Sequence, residues 1–244
     1  MSAPLLRAQG LTAPHGFGTR AGGVSPGGWS SLNLGLTVGD DEARVARNRE
    51  IFLGWFGTDR AGAALMHQVH GDSVLRAQRQ GPAADLPQAD AQISDDPELL
   101  LVVSTADCLP ILFHDPRGRA GGVPFRGWRR SLAAPPARVV EALASGYGTQ
   151  PAELEVAIGP GICRDCYQVG EEVADAVRAA GAGEDALSPD GRDHWRLDLA
   201  QVNRHFLQGA GVEPERIIFT GWCTSCDPVR FYSHRRDQGK TGRH

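Results

Sequence analysis

The most constraining feature of this chain is the apolar run from Leu99 to His114, which reads LLLVVSTADCLPILFH. The run is rich in Leu, Val and Ile and has no helical period, so it predicts a buried strand over Leu99–Phe113. A buried strand normally excludes carboxylates, yet Asp107 and Cys108 lie inside this one. Because burial of an ionisable pair is costly, its presence here indicates a functional site.

A second polar turn, Gln68-Val69-His70-Gly71, follows another short apolar run. A lone cysteine is more often a small buried hydrophobic residue than a reactive group. A histidine and a cysteine at the ends of two segments, however, are typical of a soft ligand pair for zinc or of a thiolate with its base. The residues alone leave both interpretations of His70 and Cys108 open.

Composition limits the classes of function. The 244 residues are enough for one large domain or two small ones. Charged residues make up 22% of the chain and the formal net charge is -4, which argues against a nucleic-acid-binding protein. No apolar run is long enough to span a membrane, and the N-terminus lacks a sustained apolar segment, so we expect a cytoplasmic protein. Five cysteines, an odd number, fit a reducing compartment.

Helical and extended patterns alternate along the chain and predict an α/β layered domain. Predicted helices cover 40–55, 137–144, 170–180 and 197–209. Predicted strands, besides the run above, cover 121–125, 154–158 and 217–222, and residues 64–76 read as a strand, a turn at His70-Gly71 and another strand.

Seven motifs occur in order along nearly the whole chain, and together they closely resemble those of the YfiH/PgeF family, also called the laccase-domain or multicopper polyphenol oxidoreductase family. The motifs are SLNLG at 31–35, VARNR at 45–49, QVHG at 68–71, TADCLPILF at 105–113, GWR at 127–129, IGPGIC at 158–163 with YQVGEEV at 167–173, and FYSHRRDQGKTGR at 231–243. The resemblance implies a single domain over 1–244 and an α/β (α+β) fold, in which mixed β-sheets pack together with helices on the outside.

The resemblance also implies a zinc ion, held by the histidine of QVHG, the cysteine of ADC and the histidine of an HAGWRG motif. His70 and Cys108 match the first two ligands, whereas Phe125 stands at the third. A catalytic zinc site usually has three protein ligands, so we expect zinc at His70 and Cys108 to be weakened. His114 lies ~20 Å from Cys108 in an extended run and cannot replace the third ligand. His67 can reach the site only if the turn is tight.

Arginines and one asparagine complete the site that the resemblance implies. The planar guanidinium group suits phosphate and carboxylate, and a neutral amide beside it suits a ribose. The alternative for the C-terminal basic residues is a solvated tail. The expected catalytic residues are His70, Cys108, Asp107 and Arg49, and the expected substrate-binding residues are Asn33, Arg129, Arg235 and Arg236.

Two CxxC pairs, Cys163–Cys166 and Cys223–Cys226, together suggest a structural zinc site with four thiolate ligands. The interval between the pairs is far longer than the ~15–20 residues of a zinc ribbon. Both pairs also lie in segments that match family motifs without such a site. We therefore favour a coincidence of short motifs, and leave open whether the pairs meet in space.

The resemblance implies an enzyme that acts on adenosine, inosine, guanosine or methylthioadenosine, by phosphorolysis with phosphate or by deamination. Two alternatives remain: a metal-independent Cys-His amidohydrolase or peptidoglycan-editing factor, and a degenerate member that binds a nucleoside without turnover. Laccase activity needs several coppers and more histidine ligands than the motifs supply.

Overall fold

The computed structural model describes residues 5–69, 73–79, 86–118, 120–126 and 136–244, of which 124–126 are described by their backbone alone. This part of the chain contains four α-helices: α1 (Glu42–Gly54), α2 (Ala137–Tyr147), α3 (Glu171–Ala179) and α4 (Leu199–Gly209). Its thirteen strands are β1 (Leu5–Leu6), β2 (Phe17–Gly18), β3 (Ala63–Ala64), β4 (Val74–Arg76), β5 (Ala91–Ser94), β6 (Leu100–Leu101), β7 (Leu109–His114), β8 (Gly121–Arg126), β9 (Glu155–Ile158), β10 (Gln168–Gly170), β11 (Leu187–Pro189), β12 (His194–Leu197) and β13 (Ile217–Phe219).

A six-stranded mixed sheet in the order β13-β9-β7-β8-β5-β4 organises the fold. The two outer pairs, β13 with β9 and β4 with β5, are parallel, and the inner neighbours are antiparallel. The other sheets are an antiparallel three-stranded sheet, β10-β12-β11, and the two-stranded pairs β1-β2 and β3-β6. The expectation of mixed sheets with helices is confirmed.

The central strands β7 and β9 are apolar on both faces of the sheet. Ile111 and Phe113 point into the largest core cluster, where the apolar faces of α2, α3 and α4 also pack. Leu112, between them, joins a second cluster on the opposite face with Phe17 and Trp222. Because side chains alternate along a strand, a continuous apolar run fits a sheet that is covered on both faces.

Two of the four helices, α1 and α4, begin at a side-chain cap that satisfies one of their first N–H groups. The Asp41 carboxylate accepts the N–H of Arg44 at 3.0 Å before α1, and Asp198 accepts the N–H of Gln201 at 3.0 Å before α4. All four predicted helices are observed, with ends that differ by a few residues. Among the described residues, no helix has the length and apolar character needed to cross a membrane.

The single strand predicted over Leu99–Phe113 is wrong in its middle. The chain forms β6 in a small parallel pair with β3, leaves it, and forms β7 in the large sheet. Asp107 lies between the two strands with φ of +78°, in the left-handed region, which an extended strand cannot accommodate. In the predicted strand, turn and strand over 64–76, β3 covers only Ala64 and β4 covers Val74–Arg76, and they pair with β6 and β5. The turn at His70-Gly71 lies outside the described residues.

Strand directions bring several chain segments to one edge of the large sheet. β7 begins at this edge, and β8, β9 and β13 end there, because Leu109 pairs with Arg126, Ile111 with Ile158, and Ile158 with Phe219. We call this border, formed by Leu109, Arg126, Ile158 and Phe219, the common edge. Asp107 and Cys108 immediately precede it in the chain, and the Gly159-Pro160-Gly161 turn follows it.

The turn after β9 has no space for a side chain at Gly159. A Cβ atom there would lie 2.2 Å from the Phe17 ring, whereas a Cβ at Gly54 would meet nothing within 4 Å. We expect Gly159→Ala to lower the free energy of unfolding by about 1–3 kcal/mol through overpacking, measured by urea denaturation. The control Gly54→Ala, at the end of α1, should leave stability unchanged or raise it slightly. Equal effects of the two substitutions would contradict this account of the turn.

Candidate functional site

The carboxylate of Asp107 joins three segments at the common edge. One oxygen accepts the hydroxyl of Thr224 at 2.6 Å, and the other accepts the backbone N–H of Arg235 at 2.6 Å. The Asp107 carbonyl accepts the N–H of Ile162, in the turn after β9, at 2.9 Å. The side chain is buried. The left-handed backbone at Asp107 thus turns its carboxylate toward the C-terminal segment and its carbonyl toward the β9 turn.

Cys108 follows Asp107 directly and is half-buried. Burial raises the pKa of its thiol to about 12, and the charge of Asp107 adds to this effect, while Arg243 opposes it. Without an additional ligand, Cys108 is therefore a neutral thiol near pH 7. The Arg243 guanidinium interacts electrostatically with both Asp107 and Cys108.

The C-terminal basic segment packs against the protein instead of forming a solvated tail. Arg235 donates from Nη1 to the carbonyl of Gln168 at 2.8 Å, and its guanidinium lies 4.8 Å from the centre of the Tyr167 ring. Arg236 donates to the carbonyl of Thr224 at 2.8 Å and to the carboxylate of Asp237 at 2.8 Å. Arg236 therefore stabilises the segment that carries Thr224, while the more exposed Arg235 borders the site.

Asn33 connects an N-terminal loop to the last residues of the chain. Its Oδ1 accepts the N–H groups of Gly35 and Arg243, each at 2.9 Å. Its Nδ2 donates to the Asp40 carboxylate at 2.9 Å. The side chain is fully buried. In this arrangement Asn33 positions Arg243, and the role of Asn33 in substrate binding stays a prediction.

Arg49 lies on α1 and contacts the loop that carries Asn33. Its Nε and Nη2 atoms donate to the carbonyl of Leu34 at 2.9 and 2.8 Å. Burial lowers the pKa of Arg49 to about 10, and the nearby charge of Arg60 adds to this effect. Arg49, Gln68 and Ser104 help to line a cavity of about 30 Å³, which has room for one or two water molecules.

Two predicted site residues, His70 and Arg129, lie outside the described residues. Phe125 lies in β8, where its backbone pairs with Pro110, two residues beyond Cys108. The position that the family resemblance gives to the third zinc ligand is thus close in register to Cys108. A phenyl ring offers no ligand atom, so the donor set at His70, Cys108 and Phe125 does not fit a three-ligand zinc site. Zinc at His70 and Cys108 stays a prediction.

Sequence reasoning missed Thr224 as a site residue. Thr224 is fully buried and donates the hydroxyl that holds Asp107. Its only signal in the sequence is its place between Cys223 and Cys226, a pair that we interpreted as coincidental.

The two CxxC pairs, whose proximity the sequence left open, meet in space. The four Sγ atoms all lie within 4.8 Å of one another, close enough to hold a metal ion. Among the described residues, this is the one group of three or more histidine, cysteine or acidic side chains with that geometry. Burial raises the pKa of Cys163 to about 11. At Cys223 burial also raises the pKa, but hydrogen bonds from the backbone and side chains of Cys163 and Cys226 outweigh it, so the pKa is lowered.

Comparison with known proteins gives consistent matches along the chain. A family model described as multi-copper polyphenol oxidoreductase laccase matches residues 14–244. The chain is 42% identical over 240 residues to a purine nucleoside phosphorylase of Deinococcus radiodurans, covering 98% of this chain and 90% of that protein. It is 36% identical to the purine nucleoside phosphorylase YlmD of Bacillus subtilis, covering 93% of this chain and 85% of the relative.

Solved structures share the fold. The crystal structure of the hypothetical protein YfiH from Bacillus licheniformis matches with a TM-score of 0.89 and 34% identity, covering 93% of this chain and 89% of that one. YlmD from Geobacillus stearothermophilus matches with a TM-score of 0.88 and 33% identity, covering 93% and 88%. The motif resemblance is thereby confirmed, and the chain belongs to the YfiH family, whose family model carries the multi-copper polyphenol oxidoreductase laccase description.

Proposed function

We propose that this protein is a purine nucleoside phosphorylase that cleaves adenosine, inosine, guanosine or methylthioadenosine with phosphate. One observation carries the proposal: two relatives that bear this name match 98% and 93% of this chain, at 42% and 36% identity. The anchored carboxylate with Arg235 and Arg243 nearby supports it, because phosphorolysis needs both an anion-binding group and stabilisation of positive charge on the ribose.

In the proposed reaction, a phosphate oxygen forms a bond to C1′ of the ribose as the C1′–N bond to the purine breaks. The bonding electron pair leaves with the base, which takes up a proton. Both oxygens of Asp107 already accept hydrogen bonds. We therefore assign Asp107 to electrostatic stabilisation of the ribose and His70 to proton transfer. Arg49, Arg129 and Arg235 are the candidate phosphate-binding residues, with Asn33 and Arg236 positioning the loops around them.

Phe125 favours phosphorolysis over adenosine deamination. Deamination by this kind of site depends on a metal-activated water, which requires a well-held ion. Phosphorolysis uses phosphate as the nucleophile, and its anion-binding groups are arginines that this chain retains. We therefore expect deamination to be the weaker of the two activities.

The metal-independent cysteine hydrolase is the less favoured alternative. Such an enzyme needs a thiolate nucleophile, whereas burial and the adjacent carboxylate of Asp107 raise the pKa of Cys108 to about 12. Its expected signature is inactivation by thiol alkylation together with indifference to chelators. A nucleoside-binding protein without turnover is the remaining alternative.

Incubation of the purified protein with inosine, with and without phosphate, tests the proposed function. We expect hypoxanthine and ribose 1-phosphate to form only when phosphate is present. Release of hypoxanthine with free ribose in the absence of phosphate would instead identify a hydrolase. Saturable inosine binding without product would identify the non-catalytic alternative.

Replacement of Asp107 by asparagine tests the role of the carboxylate. Asparagine tolerates the left-handed backbone at this position but removes the negative charge. We expect Asp107→Asn to lower kcat for inosine phosphorolysis by about 100-fold, with a much smaller change in KM, in steady-state assays. The control Asp193→Asn makes the same change at an exposed residue that also has a left-handed backbone, and it should leave kcat unchanged. Unchanged kcat in Asp107→Asn would refute the assignment.

Restoration of the third ligand tests the account of Phe125. We expect Phe125→His to raise the bound zinc by about one ion per chain and to increase adenosine deamination relative to inosine phosphorolysis. The control Phe125→Leu keeps an apolar side chain and should alter neither the zinc content nor the ratio. If Phe125→His and Phe125→Leu behave alike, the position is not the missing ligand.

A further inference from the structure

The sheet topology brings the two CxxC turns together. β9 and β13 are parallel neighbours, so the chain leaves both strands at the common edge. The pairing continues beyond the strands, where Gly161 and Cys223 form a parallel bridge. The N–H of Gly161 donates to the carbonyl of Trp222 at 3.2 Å, and the N–H of Thr224 donates to the carbonyl of Gly161 at 3.0 Å. Backbone pairing therefore places the turn at Cys163 beside the turn at Cys223.

The four sulfur atoms have the spacing of ligands to a single ion. Cys226 Sγ lies 3.3 Å from Cys166 Sγ and 3.9 Å from Cys163 Sγ, and all four sulfurs are within 4.8 Å of one another. A tetrahedral ion with Zn–S bonds of about 2.3 Å holds its sulfurs about 3.8 Å apart. The observed separations bracket that value. They exceed a disulfide bond length, and all four cysteines are free thiols.

Local backbone geometry supports a metal-binding turn at Cys223. The N–H groups of Cys163 and Cys226 both point to its Sγ, at 3.3 and 3.4 Å. Backbone N–H groups that donate to a ligand sulfur stabilise the metal-bound thiolate by charge-assisted hydrogen bonds and fix its position. In the first pair, a single turn of 3-10 helix at Arg164–Cys166 follows Cys163 directly and includes Cys166.

Arginine side chains support both turns. Arg196 donates to the carbonyl of Asp165 at 2.7 Å, inside the first pair. Arg236 donates to the carbonyl of Thr224 at 2.8 Å, inside the second pair. Four thiolates carry more negative charge than a divalent ion neutralises, so nearby guanidinium groups stabilise the loaded site.

We infer that Cys163, Cys166, Cys223 and Cys226 bind one Zn²⁺ ion in a closed, structural site. An all-sulfur tetrahedral donor set is typical of structural zinc and leaves no open position for substrate. An iron–sulfur cluster spreads its four thiolates around several iron atoms, which these short separations do not accommodate. This site is distinct from the zinc expected at His70 and Cys108, with which it shares no residue.

The ion would cross-link the turn after β9 to the segment that carries Thr224. Thr224 lies between two of the ligands and holds the Asp107 carboxylate. Loss of the ion is therefore expected to loosen the position of Asp107. Any resulting loss of activity rests on the proposed function. The metal site itself does not depend on the activity, so metal content and activity test the two proposals separately.

Metal analysis of matched variants tests the inference. Wild-type protein, Cys226→Ser, Cys163→Ser and the control Cys108→Ser are purified without added metal and measured by inductively coupled plasma mass spectrometry. We expect about one zinc per chain in the wild type and in Cys108→Ser, and at least a tenfold loss in the other two. Circular dichroism establishes that each variant is folded. Zinc retained in folded Cys226→Ser, zinc lost from Cys108→Ser alone, or iron in place of zinc would overturn the inference.

Cobalt reconstitution of the wild-type chain gives a test that does not depend on variants that fold. After chelation, addition of Co²⁺ should produce the sulfur-to-cobalt charge-transfer and visible bands of a tetrahedral tetrathiolate. The same spectrum is expected from Cys108→Ser. A spectrum without sulfur charge transfer, or a disulfide between Cys166 and Cys226 detected by intact mass under reducing purification, would contradict a tetrathiolate metal site.

Discussion

The arrangement of the common edge depends on the buried carboxylate of Asp107. Its two oxygens accept a hydroxyl from Thr224 and a backbone N–H from Arg235, and its carbonyl accepts an N–H from the β9 turn. Three segments that are far apart in sequence therefore meet at one residue. Removal of one partner would leave a buried charge incompletely paired, which makes the contact costly to break. The same contact sets the position of Cys108, the neighbouring residue.

The common edge lacks one expected metal ligand and carries a separate set of four others. Phe125 removes a ligand that the family resemblance places near Cys108, whereas the four cysteines on the turns after β9 and β13 supply a complete set of sulfur ligands close by. The four-cysteine group does not replace the missing catalytic ligand, because a closed tetrahedral site offers no position to substrate. In this account, metal at the cysteines supports the geometry of the site, and arginines carry the anion-binding chemistry.

Much of the fold could be predicted from the sequence because its signals are local. The apolar periods of the sequence identify the helices, and the motif set identifies the family. The single strand over Leu99–Phe113 was wrong because hydrophobicity does not reveal the left-handed turn at Asp107. Which strands pair is a long-range property, so the adjacency of β9 and β13, which joins the CxxC pairs and places Thr224 at Asp107, had no local signal.

Some site residues also have a local signal in the sequence, whereas the roles of others depend on the fold. Asp107 and Cys108 stand out as a polar pair in an apolar run, and the structure places the backbone of Arg235 against that pair. The sequence does not distinguish an arginine that borders a site from one that stabilises a loop. The Arg236 guanidinium donates to Thr224 and Asp237, and its role in substrate binding stays a prediction.

A double-mutant cycle between Asp107 and Thr224 tests the central constraint most directly. The free energy of unfolding is measured for the wild type, Asp107→Ala, Thr224→Val and the double variant. Because this hydrogen bond is buried and involves a charged acceptor, the account predicts a coupling energy of about 1–3 kcal/mol. Additive effects, with a coupling energy near zero, would contradict the claim that this contact holds the site together.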